Sequence, residues 1–175
     1  MEKQMSDMEY WLMVNLVMPF RDLIMPPEKM LAETDIEPGY QVLDFGCGPG
    51  TFAIKIAEKV GSSGFVHALD IHPLAKKYVE NKAYKKNLSN VKVILSNCST
   101  SLPEHGMDYV IFFDVYHELD NQEDVLIELK RVLKPNGILC FSDHHMKDDQ
   151  IIHEITKNKL FTLVKKGKRT FSFRS

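Results

Sequence analysis

The sequence predicts an α/β fold: a doubly wound, mostly parallel seven-stranded sheet with an antiparallel final strand and helices on both faces. Three observations carry this. Seven short runs rich in β-branched and aromatic residues, at 41–45, 64–69, 91–95, 108–113, 137–142, 160–165 and 169–174, are mostly separated by segments of helical periodicity. Such alternation builds a parallel sheet between helical layers. The first run opens into a turn with glycine at 46, 48 and 50, and the last two runs flank a tight turn containing Gly167, which reads as a hairpin.

Residues 1–37 form a methionine- and aromatic-rich helical lead, and residues 38–175 one compact domain. Within the lead, two helical stretches meet at Pro26-Pro27, a pair that starts the second but cannot continue the first. Three roles stay open for it: a helix packed on the sheet, a flap over a bound ligand, or a membrane contact. Tyr10 and Trp11 are its residues of interest. Val42, Leu43 and Phe45 around Asp44 make the first strand, and Phe52, Ile56, Ala57 and Val60 give residues 51–60 a helical face. The second strand ends in Asp70, twenty residues after Gly50. Helices follow at 73–87, 121–133 and 148–158, but residues 96–106 leave room for at most a short one.

Strand, glycine turn and helix together offer close backbone approach and free helical N–H groups, which suits a nucleotide-like ligand. An acid at the end of the second strand stands where ribose hydroxyls are bound in doubly wound sheets. The dinucleotide fingerprint G-x-G-x-x-G needs glycine at 51, where this chain has Thr51. Asp44, just before the turn, would repel a pyrophosphate and suits a cationic or hydrogen-bond-donating ligand.

The pattern D-x-G-C-G-x-G at 44–50, Asp70, residues 107–119 (MDYVIFFDVYHEL) and 128–142 (ELKRVLKPNGILCFS) together resemble the class I, Rossmann-like S-adenosylmethionine-dependent methyltransferases. The resemblance runs from about Pro38 to the end. It implies S-adenosyl-L-methionine as cofactor, held by Asp44, Phe45, Gly46, Cys47, Gly48, Gly50, Asp70, Ile71, Asn97, Cys98, Asp114 and Val115. The glycine turn would carry the methionine part and Asp70 the ribose. Asn97 stands where the family commonly has an acid that reads the adenine amine, a bond an amide oxygen can also accept.

In an open α/β sheet ligands bind beyond the carboxyl ends of the strands. There the fourth strand delivers Asp114, Tyr116, His117 and Glu118, and the fifth Asp143, His144 and His145. His117, His144 and His145 are the candidate catalytic bases, since a neutral imidazole accepts a proton near pH 7; the competing reading is that they only brace loops. No metal is expected, because adjacent histidines seldom point the same way. A net charge of −2 disfavours a nucleic acid partner and leaves a small-molecule acceptor. The three cysteines, 47, 98 and 140, form no paired framework and no leader is evident, which predicts a cytoplasmic location. The apolar stretch Tyr10–Phe20 is shorter than the roughly 20 residues a membrane span needs, and it is a candidate homodimer contact. A non-catalytic module that binds the same cofactor remains the alternative, and a nicotinamide oxidoreductase the weakest reading.

Overall fold

The computed structural model describes residues 5–24 and 26–175; residues 1–4 and 25 of the helical lead lie outside them. In chain order the elements are α1 (Asp7–Leu12), a π-helical segment (Met13–Val17), α2 (Met18–Ile24), α3 (Pro27–Leu31), β1 (Gln41–Phe45), α4 (Thr51–Val60), β2 (Phe65–Asp70) and α5 (Pro73–Lys85). They continue with β3 (Val91–Leu95), β4 (Met107–Phe113), a 3-10 turn (Tyr116–Glu118), α6 (Gln122–Val132), β5 (Leu133–Ser142), α7 (Asp148–Thr156), β6 (Thr162–Lys166) and β7 (Phe171–Arg174). The sheet order is β3-β2-β1-β4-β5-β7-β6, with β1 to β5 parallel and β7 antiparallel to both its neighbours. The seven-stranded α/β expectation therefore holds, and the strand order reverses between β1 and β4, where a crevice opens at the strand ends.

Two cores sandwich the sheet, because alternate residues of one strand face opposite ways. Val42, Val66, Tyr109 and Ile111 pack with Ile56, Ala57 and Val79 of α4 and α5. Leu43, Val110, Phe112, Leu139 and Phe141 pack with Leu126 and Leu129 of α6. Burial on both faces explains why the central strands read as continuous apolar runs rather than alternating ones.

Several boundaries differ from the sequence reading, two of them for identifiable reasons. β5 begins at Leu133 rather than 137, because Leu133 already pairs with Met107 before the register jumps to Tyr109 opposite Ile138. The intervening Lys134-Pro135-Asn136-Gly137 is a bulge, with Asn136 at φ 67° and a proline that has no N–H to give. α5 ends earlier, ahead of Asn87 at φ 54°. Residues 96–106 contain no helix at all; instead Thr100 donates from its N–H and hydroxyl to Glu128 of α6 at 2.9 and 2.6 Å, and Arg131 reaches Leu102 O at 2.9 Å. The same Glu128 is held down to about 2, chiefly by its hydrogen bonds from Arg131 and also by those from Thr100, so a carboxylate on α6 does the anchoring that a packed helix does elsewhere.

The lead begins with a capping box between Ser6 and Glu9. It then turns wide at 13–17 because Pro19 cannot donate to the helical ladder, and the Met18 N–H reaches back five residues to Met13 O. Tyr10 points inward, whereas Met8, Leu12, Leu16, Phe20 and Leu23 form an exposed apolar stripe. Among the described residues, no helix is long and apolar enough to cross a membrane.

Candidate cofactor and acceptor site

The glycine turn is fastened to the end of β2. Gly46 and Cys47 donate their N–H groups to Leu69 O, both at 2.8 Å, and Gly48 N–H donates to Asp70 Oδ2 at 2.8 Å. Gly46 sits at φ 76°, and a Cβ there would lie 2.2 Å from Val115 Cγ2, so only glycine lets the turn close against the exit of β4. Gly50, at φ 81°, likewise presses on Val79 of α5. Asp70 accepts a second backbone bond from His72 N–H at 2.8 Å. Burial raises its pKa, opposed by these two N–H donors.

Asp44 is 2 % exposed, and its Oδ2 has no hydrogen-bond partner. Burial pushes its pKa up to about 7, against the pull of the Ala53 N–H. An ionised carboxylate in that position waits for a cation. The Cys47 thiol, buried beside Asp44 and Asp70, is pushed well above its ordinary value, which makes it a packing group and not a nucleophile. Asn97 is exposed just past β3, Ile71 is exposed just past β2, and Cys98 is half-buried with its N–H already given to Ser96 Oγ at 3.2 Å.

Across the crevice, β4 and β5 exchange partners. The buried Asp143, following β5, accepts from His117 N–H and from its Nδ1, at 3.1 and 2.8 Å, through Oδ2, and from His145 N–H at 3.0 Å through Oδ1. Asp114, following β4 at φ 55°, takes the His144 N–H and Nδ1 at 3.0 and 2.8 Å. Each acid thus orients a histidine from the other strand. With Nδ1 donating, Nε2 is the free acceptor of both rings. His145 lies 4.0 Å from each of the other two rings, which are 6.0 Å apart. All three candidate bases therefore form one cluster. Asp114, Asp143 and His144 also place one ligand atom each within 4.8 Å of one another, a group able to hold a metal ion, although a cation would compete with the His144–Asp114 bond.

Two participants were not in the expected site set. Asp143 enters the sequence analysis as a strand-end acid beside His144 and His145, and its pairing with His117 follows from neighbouring strands lying in register, Phe113 opposite Ser142. His72 caps α5 through Nδ1, which accepts Leu74 N–H at 3.2 Å; the His-Pro pair at a helix start was the available signal.

A family profile described as a methyltransferase domain matches residues 36–171. The chain belongs to that methyltransferase family. It is 32 % identical over 126 residues to a demethylmenaquinone methyltransferase of Geobacillus kaustophilus, covering 71 % of this chain and 54 % of that one. It is 31 % identical over 109 residues to (S)-coclaurine N-methyltransferase of Thalictrum flavum subsp. glaucum, covering 62 % of this chain and 30 % of the other. The chain spans about half the length, or less, of these curated relatives. A solved S-adenosylmethionine-dependent methyltransferase from Aquifex aeolicus superposes with a TM-score of 0.81 at 26 % identity, covering 98 % of both chains. The methyltransferase fold and family are thereby fixed, including the seven-stranded sheet with its reversed final strand.

Proposed function

We propose that the protein is an S-adenosylmethionine-dependent methyltransferase acting on a small-molecule acceptor, with His117, oriented by Asp143, as the base. The carrying observation is the contact between Gly46 and Val115: it joins the cofactor turn to the strand exit that delivers Asp114 on one side and His117 on the other.

The donor set fits this cofactor. Unpartnered Asp44 Oδ2 is an acceptor suited to the ammonium of the amino-acid end, and Asp70 keeps lone pairs for ribose hydroxyls. Neither acid suits a pyrophosphate. When bound, the cofactor supplies a methyl group on an electron-poor sulfonium. His117 Nε2 takes the proton the acceptor loses, Asp143 stabilises the imidazolium that results, and His144 with Asp114 shapes the neighbouring wall. Glu118 Oε1, 3.7 Å from His117 Nε2, is placed to hold that proton's charge.

Support for a small acceptor comes from relatives whose names give demethylmenaquinone and (S)-coclaurine as what they methylate, and from a net charge of −2 that gives no attraction to nucleic acid. The exposed stripe Met8-Leu12-Leu16-Phe20-Leu23 supports a homodimer through the lead, and three cysteines outside any disulfide support a cytoplasmic location. Calorimetric titration with S-adenosylhomocysteine, followed by label transfer from the methylated cofactor to a panel of small acceptors, tests the reading. Absence of binding would overturn it. A monomer in light scattering would remove the dimer.

A further inference from the structure

The geometry points to Tyr10 as a cofactor-binding residue carried by the N-terminal helix, its hydroxyl donating to a ribose hydroxyl that Asp70 in turn accepts from. This rests on the cofactor reading above. Tyr10 is 3 % exposed, and its ring lies flat on His72, with centroids 4.0 Å apart and planes 12° from parallel. Its hydroxyl is buried and has no hydrogen-bond partner. Buried hydroxyls in native proteins are nearly always bonded, since desolvation without a partner destabilises the fold. A second orphan, Asp44 Oδ2, ends β1 just ahead of the glycine turn, whose Cys47 neighbours the Tyr10 phenol.

The surroundings select the part of the ligand involved. Burial and then the neighbouring Asp70 and Cys47 raise the phenol above its ordinary range, so the hydroxyl keeps its proton and donates. An anionic carboxylate of the amino-acid end would be repelled by Asp70. A ribose hydroxyl is not: it can accept from Tyr10 and donate to Asp70 at once. The helix is already fixed to the body for this. His72 Nε2 meets Met5 O at 3.1 Å, Asn15 Nδ2 meets the Tyr78 hydroxyl at 3.4 Å, and Met18 Cε lies over Gly48, 3.7 Å from where a Cβ would stand.

Tyr10→Phe keeps the ring and its stacking and deletes only the hydroxyl. The ligand-free variant is expected to melt at the wild-type temperature or above it, because it loses an unbonded buried group. Calorimetric titrations with S-adenosylhomocysteine and with 5′-methylthioadenosine, which keeps the ribose but lacks the amino-acid end, are expected to weaken by a similar factor, about tenfold. Unchanged affinity for both ligands overturns the inference. So does weakening confined to S-adenosylhomocysteine, which would move the partner to the amino-acid end, or a clear fall in the melting temperature of the ligand-free variant, which would show a partner within the protein. Wild-type protein that binds neither ligand removes the cofactor reading and this inference together.

Discussion

At the ends of β1 and β2 the crevice is lined by backbone and by side chains with unused bonding capacity: three glycines, the orphan Oδ2 of Asp44 and the orphan hydroxyl of Tyr10. At the ends of β4 and β5 the lining is imidazole and carboxylate, and the His117–Asp143 and His144–Asp114 pairs already satisfy one another. The first half keeps bonding capacity to offer a ligand. The second, the proposed proton-handling cluster, holds its shape through its own hydrogen bonds.

That contrast can be broken most severely at Gly46. Gly46→Val places a branched side chain at φ 76°, against Val115. It is expected to cost more than about 4 kcal/mol through strain and overlap, read as loss of soluble protein or of S-adenosylhomocysteine binding. A Gly46→Ala chain paired with Val115→Ala should recover part of the loss by relieving the overlap and not the backbone strain.

On the other half, His117→Ala and Asp143→Asn should each lower kcat by about 10²–10³-fold while leaving S-adenosylhomocysteine affinity within about twofold in the same titration. The double variant should lose little more than either single one, because the two residues act as a unit. A matching loss of cofactor affinity would mean that the halves are not separate.

Asp44→Asn sharpens the cofactor half through pH. The folded-state pKa is raised to about 7 by burial, above an unfolded value of about 3.9, so the folded protein binds the extra proton between those limits. Stability contributed by Asp44 is full below about pH 4 and is lost as pH rises through 7. The ligand-free Asn variant should therefore match wild type below about pH 4, exceed it by roughly 1–2 kcal/mol at pH 5, and exceed it by about 4 kcal/mol at pH 8 in denaturant melts. The smallest effect is expected at His144→Ala, about three- to tenfold in kcat, since its ring is exposed and is paired with Asp114 rather than with the His117–Asp143 pair.

Local patterns made the cofactor half legible: the strand, the glycine spacing and Asp70 all fall within one βαβ unit, and periodicity placed all seven strands. The crossed histidine pairs were not legible, because they join residues 26 and 30 positions apart through a parallel register that no single sequence encodes. Nor did the pattern separate Tyr10 from Trp11. Packing does, burying the first to 3 % and leaving the second 49 % exposed. The loop at 96–106 was readable as too short for a full helix, but its anchoring on Glu128 was not, since that depends on a side chain from α6.

The wide turn at 13–17 has a consequence for phase. Eight residues of α-helix make about 2.2 turns, so Tyr10 and Met18 would project about 80° apart on a regular helix; π-helical turns take in more residues and bring the interval close to two whole turns. Both side chains can then meet the body at once, Tyr10 on His72 and Met18 over Gly48. Pro19 works as an indexing pin: Pro19→Ala would let the helix regain its regular pitch and turn one of the two contacts away from the crevice.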